Sequence, residues 1–261
     1  VHTDRGRARL FDREAERYDR SRPGYPEELI DEVLGRSPLG LCVLDVACGT
    51  GIASRAMARR GARVLGVDLN PRMAEIATRH GIATEVGRFE TWDPAGRTFD
   101  VVTCAQAWHW LDPEVSAAKV ASVLRPGGRI CLFWSIGRHP DDLAHALVRA
   151  YRGTLPPEVA ELRVGYGANA PSVPSIPDFR EVTDALRACG TFADPATRSF
   201  AWTRTYTRDE WLDELLSHSD HIALAPDLRE NLFAEVGRTI DAFGGSFTMD
   251  YATVLISATR L

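Results

Sequence analysis

Two aspartates and two glycines in this chain are spaced as a ligand-binding turn requires. Asp45 lies in a short apolar run with Val43, Leu44 and Val46, Gly49 and Gly51 follow it, and Asp68 stands just past a second run, Val64, Leu65 and Val67. Glycines at 49 and 51 let the chain turn sharply and bring backbone against a ligand. A carboxylate roughly 20 residues past such a turn is where nucleotide-binding folds place an acceptor for ribose hydroxyls. The register excludes a nicotinamide dinucleotide fingerprint: Ser54 holds the third glycine position, Asp45 precedes the glycines by four residues, and no P-loop lysine follows. A second candidate is His109, set between Trp108 and Trp110. An imidazole with an ordinary pKa of about 6.5 suits a general base for a phenol or alcohol, and the indoles offer flat apolar walls. Ser219, Asp220 and the pair His218 and His221 form a third polar cluster. It lacks the further ligands a metal site needs, so it reads as pocket or surface.

The elements that must position these residues alternate. Ile52, Ala53, Ala56 and Met57 recur at helical spacing up to Gly61; Asn70 and Pro71 start a second helix carrying Met73, Ile76 and Ala77. Residues 83–87 read as a third strand and Phe99–Ala105 as a fourth, with Gln106–Trp110 at its end. Asp112-Pro113 opens a helix, and Arg125–Gly128 turns into a strand over Arg129–Ser135. Strand–helix alternation implies a parallel sheet covered on both faces. With strand order 3-2-1-4-5 the glycine turn and the Gln106–Trp110 loop face one cleft at the switch point. Further on, residues 137–177 hold six of the fifteen prolines, with helical character over Leu143–Tyr151. Helices marked by Phe179, Val182, Leu186 and Cys189, by Trp211 to Leu216, and by Leu228 to Phe243 follow, with strands over 198–206 and 251–259. In the Trp211 helix the acids Asp209, Glu210, Asp213 and Glu214 read as the opposite, solvated face.

The run DVACGTG with its distal Asp68 resembles motifs I and II of the class I S-adenosylmethionine-dependent methyltransferases. The resemblance implies an α/β fold: a Rossmann-like, doubly wound sheet of seven strands, mostly parallel with an antiparallel last strand, plus a helical cap. It implies one methyltransferase domain over residues 1–261, divided into N-terminal lid helices (1–36), a cofactor-binding core (38–136), a substrate cap (137–220) and a final helix and strand (221–261). Its cofactor is S-adenosyl-L-methionine, with S-adenosyl-L-homocysteine as product. Asp68 would accept from the ribose, Asp45 would face the cofactor ammonium or brace the turn, and a side chain at Gly49 or Gly51 would fill cofactor space. Ala47, Leu69 and Met73 complete the walls, and Gln106 holds the methionine end. FDREAERYDRSRPGYPEEL resembles the lid segment of small-molecule members, in which Tyr18 and Arg22 approach the methionine end; a helix over 9–20 puts Phe11, Ala15 and Tyr18 on one face. Relatives carry an acid for the adenine amino group after strand three. Here Arg88 breaks that pattern, leaving Phe89 to stack on adenine and Glu90 to supply polarity. The His–Trp pair after strand four is similar to that of trans-aconitate-type enzymes. It gives His109 as the catalytic residue and Tyr25, Trp108, His109, Trp110 and Trp202 as the acceptor-binding set. The implied activity is methyl transfer to a small molecule, foremost at oxygen; the alternatives are nitrogen or carbon methylation, or a cofactor-binding protein without methyl transfer.

Bulk properties fit this. A net charge of −5 offers no basic field for nucleic acid, and no run of 18 apolar residues crosses a membrane. The opening residues lack a signal-peptide apolar core, and five scattered cysteines without a C-x-x-C pair suit buried thiols in a reducing cytoplasm. The expected partner is a small-molecule substrate; metal is not expected, and oligomeric state is left open.

Overall fold

The fold follows from where the chain's two-sided apolar runs must go. In the computed structural model, which describes residues 15–167 and 179–261, seven strands form one sheet. They are β1 (Cys42–Val46), β2 (Arg63–Asp68), β3 (Ala83–Val86), β4 (Phe99–Ala105), β5 (Leu124–Arg138), β6 (Ala196–Thr207) and β7 (Ser246–Thr259), in the order β3-β2-β1-β4-β5-β7-β6. β1 to β5 pair in parallel, and β7 runs antiparallel to both β5 and β6. The switch point therefore lies between β1 and β4, as the alternation predicts. Central β1 is buried along Val43–Val46, as a strand covered on both faces must be.

Helix α1 spans residues 15–21. It is followed by α2 (Glu27–Leu34), α3 (Ile52–Arg59), α4 (Pro71–Arg79), α5 (Pro113–Val123), α6 (Asp141–Thr154), α7 (Pro157–Gly167), α8 (Arg180–Ala188), α9 (Arg208–Leu215), α10 (Ser219–Ile222) and α11 (Pro226–Ala242). The start signals work as read: Asn70 accepts from the Arg72 and Met73 amides, and Asp112 accepts from the Val115 amide. One sheet face packs on α5 and α8 through Val102, Leu132, Trp134 and Leu186, and the other on α2 and α3 through Leu29, Val33, Met57 and Phe133. A separate aromatic core joins α6, α7, α9 and α11 to β6 and β7 through Tyr151, Tyr206, Trp211 and Phe247. All five cysteines are free thiols.

Several boundaries differ from the sequence reading. Residue 11 of the expected first helix and the prolines of 171–177 lie outside the described residues. β5 begins at Leu124 rather than Arg129, because Leu124 pairs with Phe99 of β4, and β7 begins at Ser246 rather than Tyr251, because its ladder with β6 runs on through polar pairs such as Thr205 and Thr248. The proline-rich stretch contains α7, since Pro157 opens a helix instead of breaking one. The expected cap over 137–220 is divided: residues 196–207 are the edge strand β6, and the helices alone form the outer layer. Glu214, expected on a solvated face, is 3% exposed. Among the described residues no helix is long and apolar enough to cross a membrane.

Gly66 seats the glycine turn on the sheet. A methyl group on it would lie 2.6 Å from Cys48 Sγ, and the Cys48 amide donates to the Val67 carbonyl at 3.2 Å. Gly66→Ala should therefore destabilise the fold by about 1–3 kcal/mol in chemical denaturation, through overpacking. Adding Cys48→Ala should restore most of the loss; an unchanged midpoint in the single variant would refute this packing.

Candidate active site

The carboxyl ends of β1, β2 and β4 carry the residues read from the sequence. Ala47 and Gln106, which follow β1 and β4, both adopt positive φ, 52° and 59°. Left-handed backbone is uncommon outside glycine and gathers at functional turns. Gly49 has φ 57°, and a Cβ there would meet nothing within 4 Å, so this glycine faces open space. Gly51 differs. At φ 80° it precedes α3, and a Cβ there would sit 3.1 Å from the Ala77 methyl group and 3.5 Å from Ile82. Its absent side chain lets α3 approach α4 rather than leaving cofactor space, which corrects the expectation for this residue.

The two carboxylates are built differently. Asp68 accepts the Gly49 amide at 2.8 Å on one oxygen and the Asn70 amide at 2.8 Å on the other. Burial pushes its pKa up, and those two N–H groups pull against it. Two exposed apolar residues adjoin Asp68 on the backbone, Leu69 next in the chain at 56% and its strand partner Val86 at 57%. Asp45 is fully buried. The Ser54 hydroxyl donates to it at 2.5 Å and the Thr103 hydroxyl at 2.8 Å. Burial raises its pKa to about 6 against those two hydrogen bonds. Asp45 thus ties β1 to α3 and β4 as a brace and presents no face to a ligand. Ser54 and Thr103 carried no sequence signal: each reads as a small core residue until Asp45 is known to need donors.

Tyr18, Arg22 and Tyr25 come from α1 and the loop after it. Tyr18 packs on Met73 and Ile76, and the Arg22 guanidinium lies 5.0 Å above its ring. Tyr25 stands edge-on to Phe133 at 4.9 Å. Burial carries its hydroxyl pKa well above 10, with the charges of Tyr18 and Asp45 adding to the rise. Gln106 turns its amide back to the Ser135 carbonyl at 3.2 Å.

Three expectations fail on burial. Trp108 is 1% exposed and Phe89 3% exposed, both inside the α5-side core, so neither is an acceptor wall or an adenine platform. Ala107, Trp108 and Leu111 of this turn complete that core. Glu90 is nearly sealed, accepts the Asp112 amide at 3.4 Å and pairs with Arg88 at 3.3 Å, anchoring the start of α5. His109 and Trp110 are exposed, with ring centres 5.0 Å apart, and desolvation lowers the His109 pKa. Trp202 lies on β6, stacked on Tyr251 at 4.3 Å and donating to Thr253 at 2.9 Å. Tyr251 has room for this because it crosses Gly137 of β5, where a Cβ would come within 2.9 Å of its ring. Among the described residues no group of three or more His, Cys, Asp or Glu side chains is placed to hold a metal.

An open, mostly parallel sheet with a glycine turn at its switch point and a distal acid beside it is the arrangement of nucleotide-binding α/β folds. Residues 43–128 match the family model described as a methyltransferase domain. The chain is 39% identical over 120 residues to an uncharacterized methyltransferase of Mycobacterium tuberculosis, covering 45% of this chain and 49% of that one. It is 37% identical over 130 residues to a ubiquinone biosynthesis O-methyltransferase of Leptothrix cholodnii, covering 46% and 54%. The chain thus spans about half the length of the curated relatives it matches. In fold it is similar to an Anaeromyxobacter dehalogenans protein described provisionally as a type II methyltransferase (TM-score 0.62, 23% identity, 90% of this chain and 97% of that one). It is similar also to Haemonchus contortus phosphoethanolamine N-methyltransferase 2 in complex with S-adenosyl-L-methionine (TM-score 0.57, 14% identity, 95% and 57%). None of these four proteins bears the name of a trans-aconitate-type enzyme.

The raised Asp45 pKa has a definite sign. A carboxyl that titrates near 6 when folded and near 3.8 otherwise favours the folded state most when protonated. Its contribution is complete below about pH 4 and is lost as pH rises through about 6. Relative to Asp45→Asn, the native protein should lose about 3 kcal/mol across that window. Parallel denaturation profiles for the two proteins would exclude the shift.

Proposed function

We propose that this protein transfers a methyl group from S-adenosylmethionine to a small-molecule acceptor, foremost at oxygen. The observation that carries this reading is the Gly49 turn: a left-handed glycine facing open space, its amide held by a carboxylate with lone pairs to spare. That arrangement fits a ligand with a ribose diol and an adjacent flat base. Asp68 would accept from the hydroxyls, Leu69 and Val86 would flank the base, and Gln106 and Arg22 would meet the amino-acid end. When bound, the cofactor supplies an electrophilic methyl on a sulfonium that leaves as a neutral thioether. The chain's task is then orientation, and near-attack positioning lowers a barrier by about 7–11 kcal/mol at best.

The acceptor would lie against Tyr25, Trp110 and the Trp202–Tyr251 pair, with His109 at the end of β4 to take a hydroxyl proton. Its lowered pKa leaves that imidazole neutral and able to accept near pH 7. Support for oxygen comes from the ubiquinone biosynthesis O-methyltransferases among the partial relatives.

Incubation with S-adenosylmethionine and a panel of phenolic, hydroxy-acid and carboxylic acceptors, read by mass spectrometry, tests the activity. A protein that binds S-adenosylhomocysteine yet yields no O-methylated product from any acceptor class would sink the oxygen assignment. Asp68→Ala should weaken S-adenosylhomocysteine binding by about 1.5–3 kcal/mol for each ribose hydrogen bond lost, measured by titration calorimetry. With a hydroxyl acceptor, His109→Ala should lower kcat by about 10²–10⁴-fold. The acidic limb of the native kcat/KM profile should inflect below 6.5. A full rate in that variant would remove His109 from the chemistry.

A further inference from the structure

Glu214 is a carboxylate in the wrong place for a structural role alone. It stands on α9 at 3% exposure, against an aromatic layer that includes Trp211, Tyr206 and Phe247. Burying a carboxylate is costly unless it is paired and hydrogen-bonded. Burial pushes its pKa up, yet His218 and Arg22 outweigh this and hold it at about 2. His218 Nε2 lies 2.9 and 3.1 Å from its two oxygens, and Arg22 Nη1 lies 3.6 Å from Oε1.

The histidine's tautomer follows from its neighbour. His218 Nδ1 lies 3.2 Å from Arg22 Nη2, and a guanidinium only donates. Nδ1 therefore accepts, and the ring proton sits on Nε2, where it donates to Glu214. Arg22 Nη2 also reaches the Ser217 carbonyl at 3.4 Å. Two of the three guanidinium nitrogens are thus positioned by the end of α9. The third, Nε, is buried and has no partner among the described residues. An orphaned, charged N–H costs free energy that an anionic ligand would recover.

We propose that Glu214 and His218 are positioning residues that preset Arg22 as a receptor for a carboxylate, arriving either on the cofactor's amino-acid end or on the acceptor. This rests on the methyltransferase reading for the identity of the cofactor, and on the observed contacts for the rest. The receptor joins the lid segment, which supplies the cation, to the outer helical layer, which aims it. A guanidinium placed over Tyr18 and tied to the end of α9 loses little freedom on binding, so affinity depends on the two residues that never touch the ligand.

The test compares two ligands that differ at the amino-acid end. Titration calorimetry with S-adenosylhomocysteine and with methylthioadenosine, which lacks the carboxylate, is run on the native protein, Glu214→Gln and His218→Asn. If the carboxylate is the cofactor's, both variants should bind S-adenosylhomocysteine about tenfold or more weakly and methylthioadenosine unchanged. If it is the acceptor's, neither nucleoside changes, but citrate should bind the S-adenosylhomocysteine-loaded native protein and not the variants. Asp213→Asn, which breaks the Arg17 and Arg20 ion pairs on the same helix, should behave as native in every arm. General damage would weaken both nucleosides together. That result, or native behaviour of both positioning variants toward all three ligands, overturns the proposal. A native protein that binds neither nucleoside refutes the methyltransferase reading instead, and citrate binding to the unloaded native protein, lost in the variants, would still stand for the receptor.

Discussion

The hydrogen bond from the Gly49 amide to Asp68 is the constraint on which the cleft depends. It joins the ends of β1 and β2, and a donor on a carboxylate makes it stronger than an ordinary backbone pair. The turn it closes is compact: Gly51 donates to the Cys48 carbonyl at 2.9 Å, and Arg55 to Gly51 at 2.8 Å, which launches α3 directly. Asp45 secures the same turn from beneath by fixing α3 through Ser54 and β4 through Thr103. The two acids of the motif therefore divide the work. One is sealed and organises the scaffold, and the other keeps lone pairs at the surface of the cleft.

Helix α1 links α3 and α4 to α9 by charge pattern. Glu16 meets Arg72 and Arg79, and Asp19 meets Arg55 and His80, all on α3 and α4 or at their ends. Arg17 and Arg20 meet Asp213, and Arg22 meets Glu214, on α9. Exposed pairs contribute about 0–1 kcal/mol each, so they do not hold the helix down by themselves. Ala15 and Tyr18 against Met73 and Ile76 supply the apolar contact, while the alternating signs fix which way the helix faces. The same alternation leaves Arg22, the last of the series, with a buried partner rather than a solvated one.

The core of the cofactor unit was legible because its signals are local. Apolar runs, Gly49, Asn70-Pro71 and Asp112-Pro113 each act within a few residues, and the strand order follows from alternation and handedness. Gly51 was misread because its purpose is a neighbour, Ala77, that sequence does not place beside it. Trp108, Phe89 and Glu214 were misread for one shared reason. Residue type names what a side chain can do, whereas burial decides whether it meets a ligand, and burial here is set by α5 and by the α6–α11 layer. Strands β6 and β7 were shortened in the reading because polar residues near their ends, Thr197, Thr207, Thr248 and Asp250 among them, weaken a purely apolar pattern.

Adding β7 and β6 beyond β5 extends the sheet away from the switch point. It continues one row across three strands, Gly137, Tyr251 and Trp202. Beside that row runs a polar line in which Gln106 reaches the Ser135 carbonyl, Ser135 and Thr253 hydroxyls meet at 2.8 Å, and Trp202 donates to Thr253. Tyr25 stands on Phe133 of the same face, and Arg22 reaches the α9 carboxylate that covers it. A small molecule aligned with a cofactor at Gly49 and Gln106 would thus be read by aromatic rings and one oriented cation. These come from the half of the chain whose sequence carries the weakest motifs. Selectivity that resides in packing rather than in a motif is free to differ among proteins that share the turn.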